Sequence, residues 1–152
     1  MSIVLVHGNP ETDAIWGDLV GELADLGATD PILLSPPGFG APIPEGWGAT
    51  RVEYRDWLIA RLEDVVTGSG PVDLVAHDWG AAHAFGMLAV RPDLVRSWAC
   101  DCTDLLHPDY DWHDLAQLWL TPEVGEQGRR GMRARAGDEV GRGAGREGGE
   151  RS

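Results

Sequence analysis

The run Val72-Asp73-Leu74-Val75-Ala76-His77-Asp78-Trp79-Gly80-Ala81-Ala82 constrains the fold more than any other stretch of this chain. Its first half is a short apolar run of strand character, and its second half opens a helix. Around Asp78 the neighbours are small: Ala76 before it, and Gly80, Ala81 and Ala82 after it. Strand and helix can therefore approach closely across a sharp turn, which requires a sheet whose strands connect through helices.

The preceding and following segments supply that sheet. Ile3–Val6, Ile32–Leu34, Val72–Ala76 and Val95–Cys100 read as four buried strands. A first helical pattern places Ile15, Trp16, Leu19, Val20, Leu23 and Leu26 at three- and four-residue spacing, with Gly27 as its C-cap. A second opens on the capping box Thr50-Arg51-Val52-Glu53 and runs through Trp57, Leu58, Leu62, Val65 and Val66 to Gly68. A third runs from about Gly80 to Val90 and ends at Arg91-Pro92. The order βαβαβαβ predicts an α/β fold, a parallel sheet flanked by helices on both faces. In such sheets chemistry gathers in the loops leaving the carboxyl ends of the strands. Those loops here are His7-Gly8-Asn9-Pro10, Ser35-Pro36-Pro37-Gly38-Phe39-Gly40 and His77-Asp78-Trp79-Gly80.

Periodicity stops near Glu126, which divides the chain into a domain at 1–126 and a tail at 127–152. The tail has eight Gly, seven Arg and no aromatic residue in 26 positions, too little apolar surface to offset the entropy of ordering, so it is expected to be disordered. Its composition fits out-of-frame translation of a GC-rich gene. Charge changes sign at the same point: seven Arg against four acidic residues give +3 in the tail, and five Arg against 21 acidic residues give −16 before it. The net charge of −13 argues against nucleic acid or an anionic membrane as partner. No apolar run approaches the length of a membrane span. Cys100 and Cys102 are too close in sequence for an unstrained disulfide and are expected as thiols, which points to a cytoplasmic protein.

His7-Gly8-Asn9-Pro10 and His77-Asp78-Trp79-Gly80, each following an expected strand, resemble the two diagnostic loops of the α/β-hydrolase superfamily, in its Asp-nucleophile branch of haloalkane dehalogenases and epoxide hydrolases. The resemblance covers about residues 3–126. It implies a partial α/β-hydrolase fold with Asp78 at the nucleophile elbow, although Ala76 stands where Gly is usual. It further implies that the carboxylate attacks an sp³ carbon, and that a His-activated water hydrolyses the resulting ester. The backbone N–H groups of Asn9 and Trp79 are the implied oxyanion hole, and their side chains are the implied halide grip. Without the family pattern, Asp78 reads as a helix N-cap, Asn9 as a turn former before Pro10, and Trp79 as a packing aromatic.

The family order places the catalytic His after the last strand, and no such segment is present, so the chain reads as truncated before its base. Asp101 and Asp104 follow the fourth expected strand, where some dehalogenases carry a relay acid; otherwise they are solvated loop carboxylates. Asp101, Asp104, His107, Asp109, Asp111, His113 and Asp114 match no metal-ligand spacing, and neither a metal nor a cofactor is expected. The expected partner is a small apolar halide, epoxide or ester. A rival reading is a non-catalytic binding or regulatory remnant of the same fold. A Ser-type esterase conflicts with Asp78 at the elbow.

Overall fold

The computed structural model describes residues 2–28, 30–103, 109–122 and 124–125. The expected disordered tail, Asp104 and His107 lie outside the described residues. The chain divides into two units, residues 1–105 and 106–152.

Within the first unit the strands are β1 (Ile3–Val6), β2 (Ile32–Leu34), β3 (Val72–His77) and β4 (Val95–Asp101). The helices are α1 (Gly17–Asp25), α2 (Arg51–Ser69) and α3 (Trp79–Leu88), with short 3₁₀ turns at Asp13–Trp16 and Pro92–Leu94. All strand pairs are parallel, in the order β2-β1-β3-β4. Parallel neighbours need long crossovers, and the helices supply them.

Alternation along the strands sorts side chains between the two faces of the sheet. Val4 and Val6 of β1 share a face with Val72, Leu74 and Ala76 of β3, and all are buried. Leu58 and Leu62 of α2 and Ala81, Ala84 and Met87 of α3 pack on that face. A fully buried Leu or Met side chain stabilises by about 1.5–3 kcal/mol, so this cluster is the main source of stability in the unit. Leu5 points the opposite way and is also completely buried. β4, at one edge, is largely exposed, including Trp98.

Local signals explain most helix boundaries. Thr50 and Glu53 form the capping box reciprocally: the Glu53 N–H donates to Thr50 Oγ1 at 3.2 Å, and the Thr50 N–H donates to Glu53 Oε2 at 2.8 Å. Gly27 ends α1 with φ of 76°; its N–H donates to Ala24 O, and the next N–H, of Ala28, donates to Leu23 O, a Schellman ending. The first expected helix is shorter than its periodicity suggests. Its first residues, including buried Trp16, form the 3₁₀ turn, and α1 itself buries no residue completely.

In the second unit the described helix is α4 (Asp114–Leu120). His113 precedes it, and its Nδ1 accepts the Ala116 N–H at 3.3 Å.

Candidate active site

The strand order has a reversal point. From β1 the chain crosses to β2 on one side, then returns past β1 to place β3 on the other. At such a point the loops leaving the two central strands diverge and open a crevice. The loops at this crevice are His7-Gly8-Asn9-Pro10 and His77-Asp78-Trp79-Gly80, so topology brings together two segments 69 residues apart.

Asp78 occupies the turn with φ of 50° and ψ of −123°, a conformation that costs a non-glycine residue on the order of 1–3 kcal/mol. It stands at the N-cap position of α3, yet its side chain makes no capping hydrogen bond. The carboxylate turns toward the β1 loop, where Asn9 N–H donates to Oδ2 at 3.0 Å. The backbone of Asp78 is held from both directions: its N–H donates to Asp101 O at 3.2 Å, and its carbonyl accepts the Ala81 N–H at 3.0 Å.

Two glycines permit this approach. A Cβ on Gly8 would lie 2.3 Å from Asp78 Oδ2 and 2.6 Å from the Trp79 nitrogen. The carboxylate and the Trp79 amide thus crowd the same small space as the Gly8 backbone. A Cβ on Gly80 would lie 2.6 Å from both Val6 O and His7 O, so α3 starts directly against the end of β1. His7 is completely buried, with Nδ1 2.9 Å from Gly8 O.

The remaining expected residues fall at different places. Trp79, the first residue of α3, is 38% exposed. Asp101 is not a loop residue: it ends β4 directly beside His77 in the strand register, and its Oδ1 lies 2.7 Å from His77 Nδ1. Further along α3, His83 is buried and stacks on Tyr54 of α2 with ring centroids 4.5 Å apart, and the Tyr54 hydroxyl donates to Pro37 O at 3.0 Å. The Ser35–Gly40 loop is thereby tied to α2. Burial pushes the His83 imidazole down to about 4; the Asp78 carboxylate opposes that shift and Arg51 adds to it.

Sequence reasoning gave no role to Gly8, His7 or the Tyr54–His83 pair. The signal for Gly8 and His7 was present in the loop motif itself. The Tyr54–His83 stack had none, because it depends on how α2 meets α3. Each described histidine has one ring contact: His7 Nδ1 with Gly8 O, His77 with Asp101, His83 with Tyr54, and His113 with the start of α4, while His7 Nε2 is buried without a hydrogen-bond partner.

The chain matches the alpha/beta hydrolase family over residues 3–148. It is 33% identical over 140 residues to a haloalkane dehalogenase of Bradyrhizobium diazoefficiens, and 30% identical over 138 residues to one of Mesorhizobium japonicum. These alignments cover 88% and 83% of this chain but 40% and 42% of those relatives, so the chain spans under half of their length. Among solved structures, a haloalkane dehalogenase from Bradyrhizobium elkani superposes with a TM-score of 0.62 at 29% identity, covering 82% of this chain and 44% of that one. An epoxide hydrolase from Vigna radiata shares the fold with a TM-score of 0.61 at 21% identity, covering 83% of this chain and 45% of its own.

Proposed function

The chain belongs to the alpha/beta hydrolase family, and from that premise we propose that Asp78 is a nucleophile toward small apolar substrates with a carbon–halogen or epoxide carbon–oxygen bond. The observation that carries this reading is the hydrogen bond from Asn9 N–H to Asp78 Oδ2. A carboxylate serving only as a helix cap would bond the first turn of α3 instead. The names of the relatives, haloalkane dehalogenases, support the substrate class.

In the proposed reaction an Asp78 oxygen attacks an sp³ carbon in line with the bond to be broken. The leaving halide or epoxide oxygen departs with the electron pair, and an ester remains on Asp78. The N–H groups of Asn9 and Trp79 then lie beside the ester, where oxyanion charge develops as water attacks its carbonyl carbon. That second step needs a general base, which contributes on the order of 10²–10⁴ in rate. No hydrogen bond joins a described histidine to the Asp78 carboxylate, so the proposal for this chain stops at the ester.

Intact-mass spectrometry after incubation with a 1-haloalkane tests this. The expected result is a single alkyl adduct, without multiple turnover, that is absent in Asp78→Ala. Absence of any adduct on folded protein would sink the nucleophile assignment and favour a non-catalytic remnant. Steady turnover that depends on Asp78 would show that this chain supplies its own base, with His113 and His107 the first residues to substitute.

A further inference from the structure

We propose that His77, Asp101 and Cys102 form a binding site for a divalent transition metal of the zinc type, at the carboxyl ends of β3 and β4. One ligand atom from each of the three lies within 4.8 Å of the other two. Ligand atoms around a tetrahedral zinc ion, at bond lengths of about 2.0–2.3 Å, stand about 3.4 Å apart. His77 Nδ1 and Asp101 Oδ1 are hydrogen-bonded at 2.7 Å, so the ion takes the place of the proton between them as the two atoms part slightly, and the neutral imidazole carries its proton on Nε2 instead. The donor set of imidazole, carboxylate and thiolate suits zinc or cobalt better than magnesium or calcium, which prefer oxygen alone.

Two independent features of the backbone bring these groups together. His77 and Asp101 are register partners on adjacent parallel strands, so their side chains emerge side by side on one face. Cys102 follows Asp101 and would point to the opposite face if β4 continued. Its φ of 48° departs from the extended conformation of β4, and its Sγ lies within 4.8 Å of a ligand atom of His77 and of Asp101. Neither strand pairing nor the turn depends on Asp78 acting as a nucleophile.

The surroundings also match a metal-bound imidazole. With Nδ1 on the metal, His77 keeps its proton on Nε2, 3.8 Å from Glu11 Oε1 and beyond hydrogen-bond length. A ligating histidine usually donates its second N–H to a carboxylate, and a small movement of Glu11 would supply one. Binding releases the Cys102 thiol proton to solvent and changes no oxidation state. Asp101 and Cys102 are exposed and His77 half-buried, so the ion enters from solvent and a water completes its coordination.

The test is titration of the reduced, full chain with Co²⁺, followed by competition with Zn²⁺. One equivalent of Co²⁺ is expected to give a thiolate-to-cobalt charge-transfer absorption that Zn²⁺ abolishes. Cys102→Ser should eliminate that absorption, while Cys100→Ser, which alters the other free thiol, should leave it unchanged. Asp101→Asn and His77→Gln should each raise the Co²⁺ dissociation constant at least about tenfold. Far-ultraviolet circular dichroism identifies any variant that has lost its fold, and the exposed position of Asp101 keeps one ligand variant usable if His77→Gln unfolds. No stoichiometric absorption in the unsubstituted chain would overturn the proposal. Absorption that survives Cys102→Ser, or that is lost only in Cys100→Ser, would overturn it equally.

Discussion

Gly80→Ala and Gly86→Ala make the same chemical change in the same helix, and the structure assigns them opposite signs. At Gly80 the added Cβ would lie 2.6 Å from two backbone carbonyl oxygens, Val6 O and His7 O. Against the 3.4 Å at which ordinary contact begins, the shortfall is 0.8 Å (3.4 minus 2.6). A carbonyl at the end of a central strand cannot rotate away as a flexible side chain can, so α3 must move off β1. Forcing an added carbon into such a space costs about 1–3 kcal/mol. At Gly86 the nearest atoms are Arg55 Cβ and Cγ, both at 3.6 Å, an ordinary contact with a mobile side chain. There the helix gains about 0.8–1 kcal/mol from replacing glycine by alanine. Urea unfolding followed by tryptophan fluorescence should therefore separate the two variants by about 2–4 kcal/mol, with Gly80→Ala the less stable. The same displacement lengthens the Asn9–Asp78 hydrogen bond, so adduct formation should slow in Gly80→Ala alone. If the two variants unfold within about 0.5 kcal/mol of each other, the close approach of α3 to β1 is not what sets this junction.

Two further outcomes follow from local chemistry. His83 titrates near 4 when folded and near 6.5 when unfolded, so the unfolded chain binds the extra proton between those values; stability is complete above about pH 6.5 and falls by about 3 kcal/mol as the pH drops toward 4. Urea midpoints measured across that range should show this slope, and His83→Gln should flatten it; an unchanged slope in the variant would refute the assignment. The Thr50 capping bonds are worth about 1 kcal/mol, so Thr50→Ala should lower the unfolding free energy by that amount, and no loss would mean that Glu53 holds the helix start alone.

What was legible in the sequence was local. Ile3–Val6 and Ile32–Leu34 were readable to the residue, because short apolar runs bounded by turn formers have few other solutions. The Thr50–Glu53 box was readable for the same reason, since both partners lie within one helical turn. Asp78 and Asn9 were readable because two local motifs carried them, and the parallel sheet made them neighbours. The pairing of Asp101 with His77 was not, because it depends on a strand register set 24 residues apart. Nor was the burial of His7, because a loop motif supplies residue types and not what packs over them. The first helical pattern overstated α1: its spacing describes an apolar stripe, and the stripe begins in a 3₁₀ turn rather than an α-helix.

The central position of β1 also has a consequence for the order of assembly. Val4 pairs with Ile32 on one side and with Leu74 on the other, separations of 28 and 70 residues (32 minus 4, 74 minus 4). Loop-closure entropy separates those two events only slightly, since each doubling of length adds about 0.6 kcal/mol. Synthesis separates them more. At about 5–20 residues per second, the ribosome needs roughly 4–14 s after releasing Val4 to supply its partner in β3. During that interval Ile3-Val4-Leu5-Val6 is an apolar segment with one edge unpaired, the kind of segment that chaperones shield during synthesis.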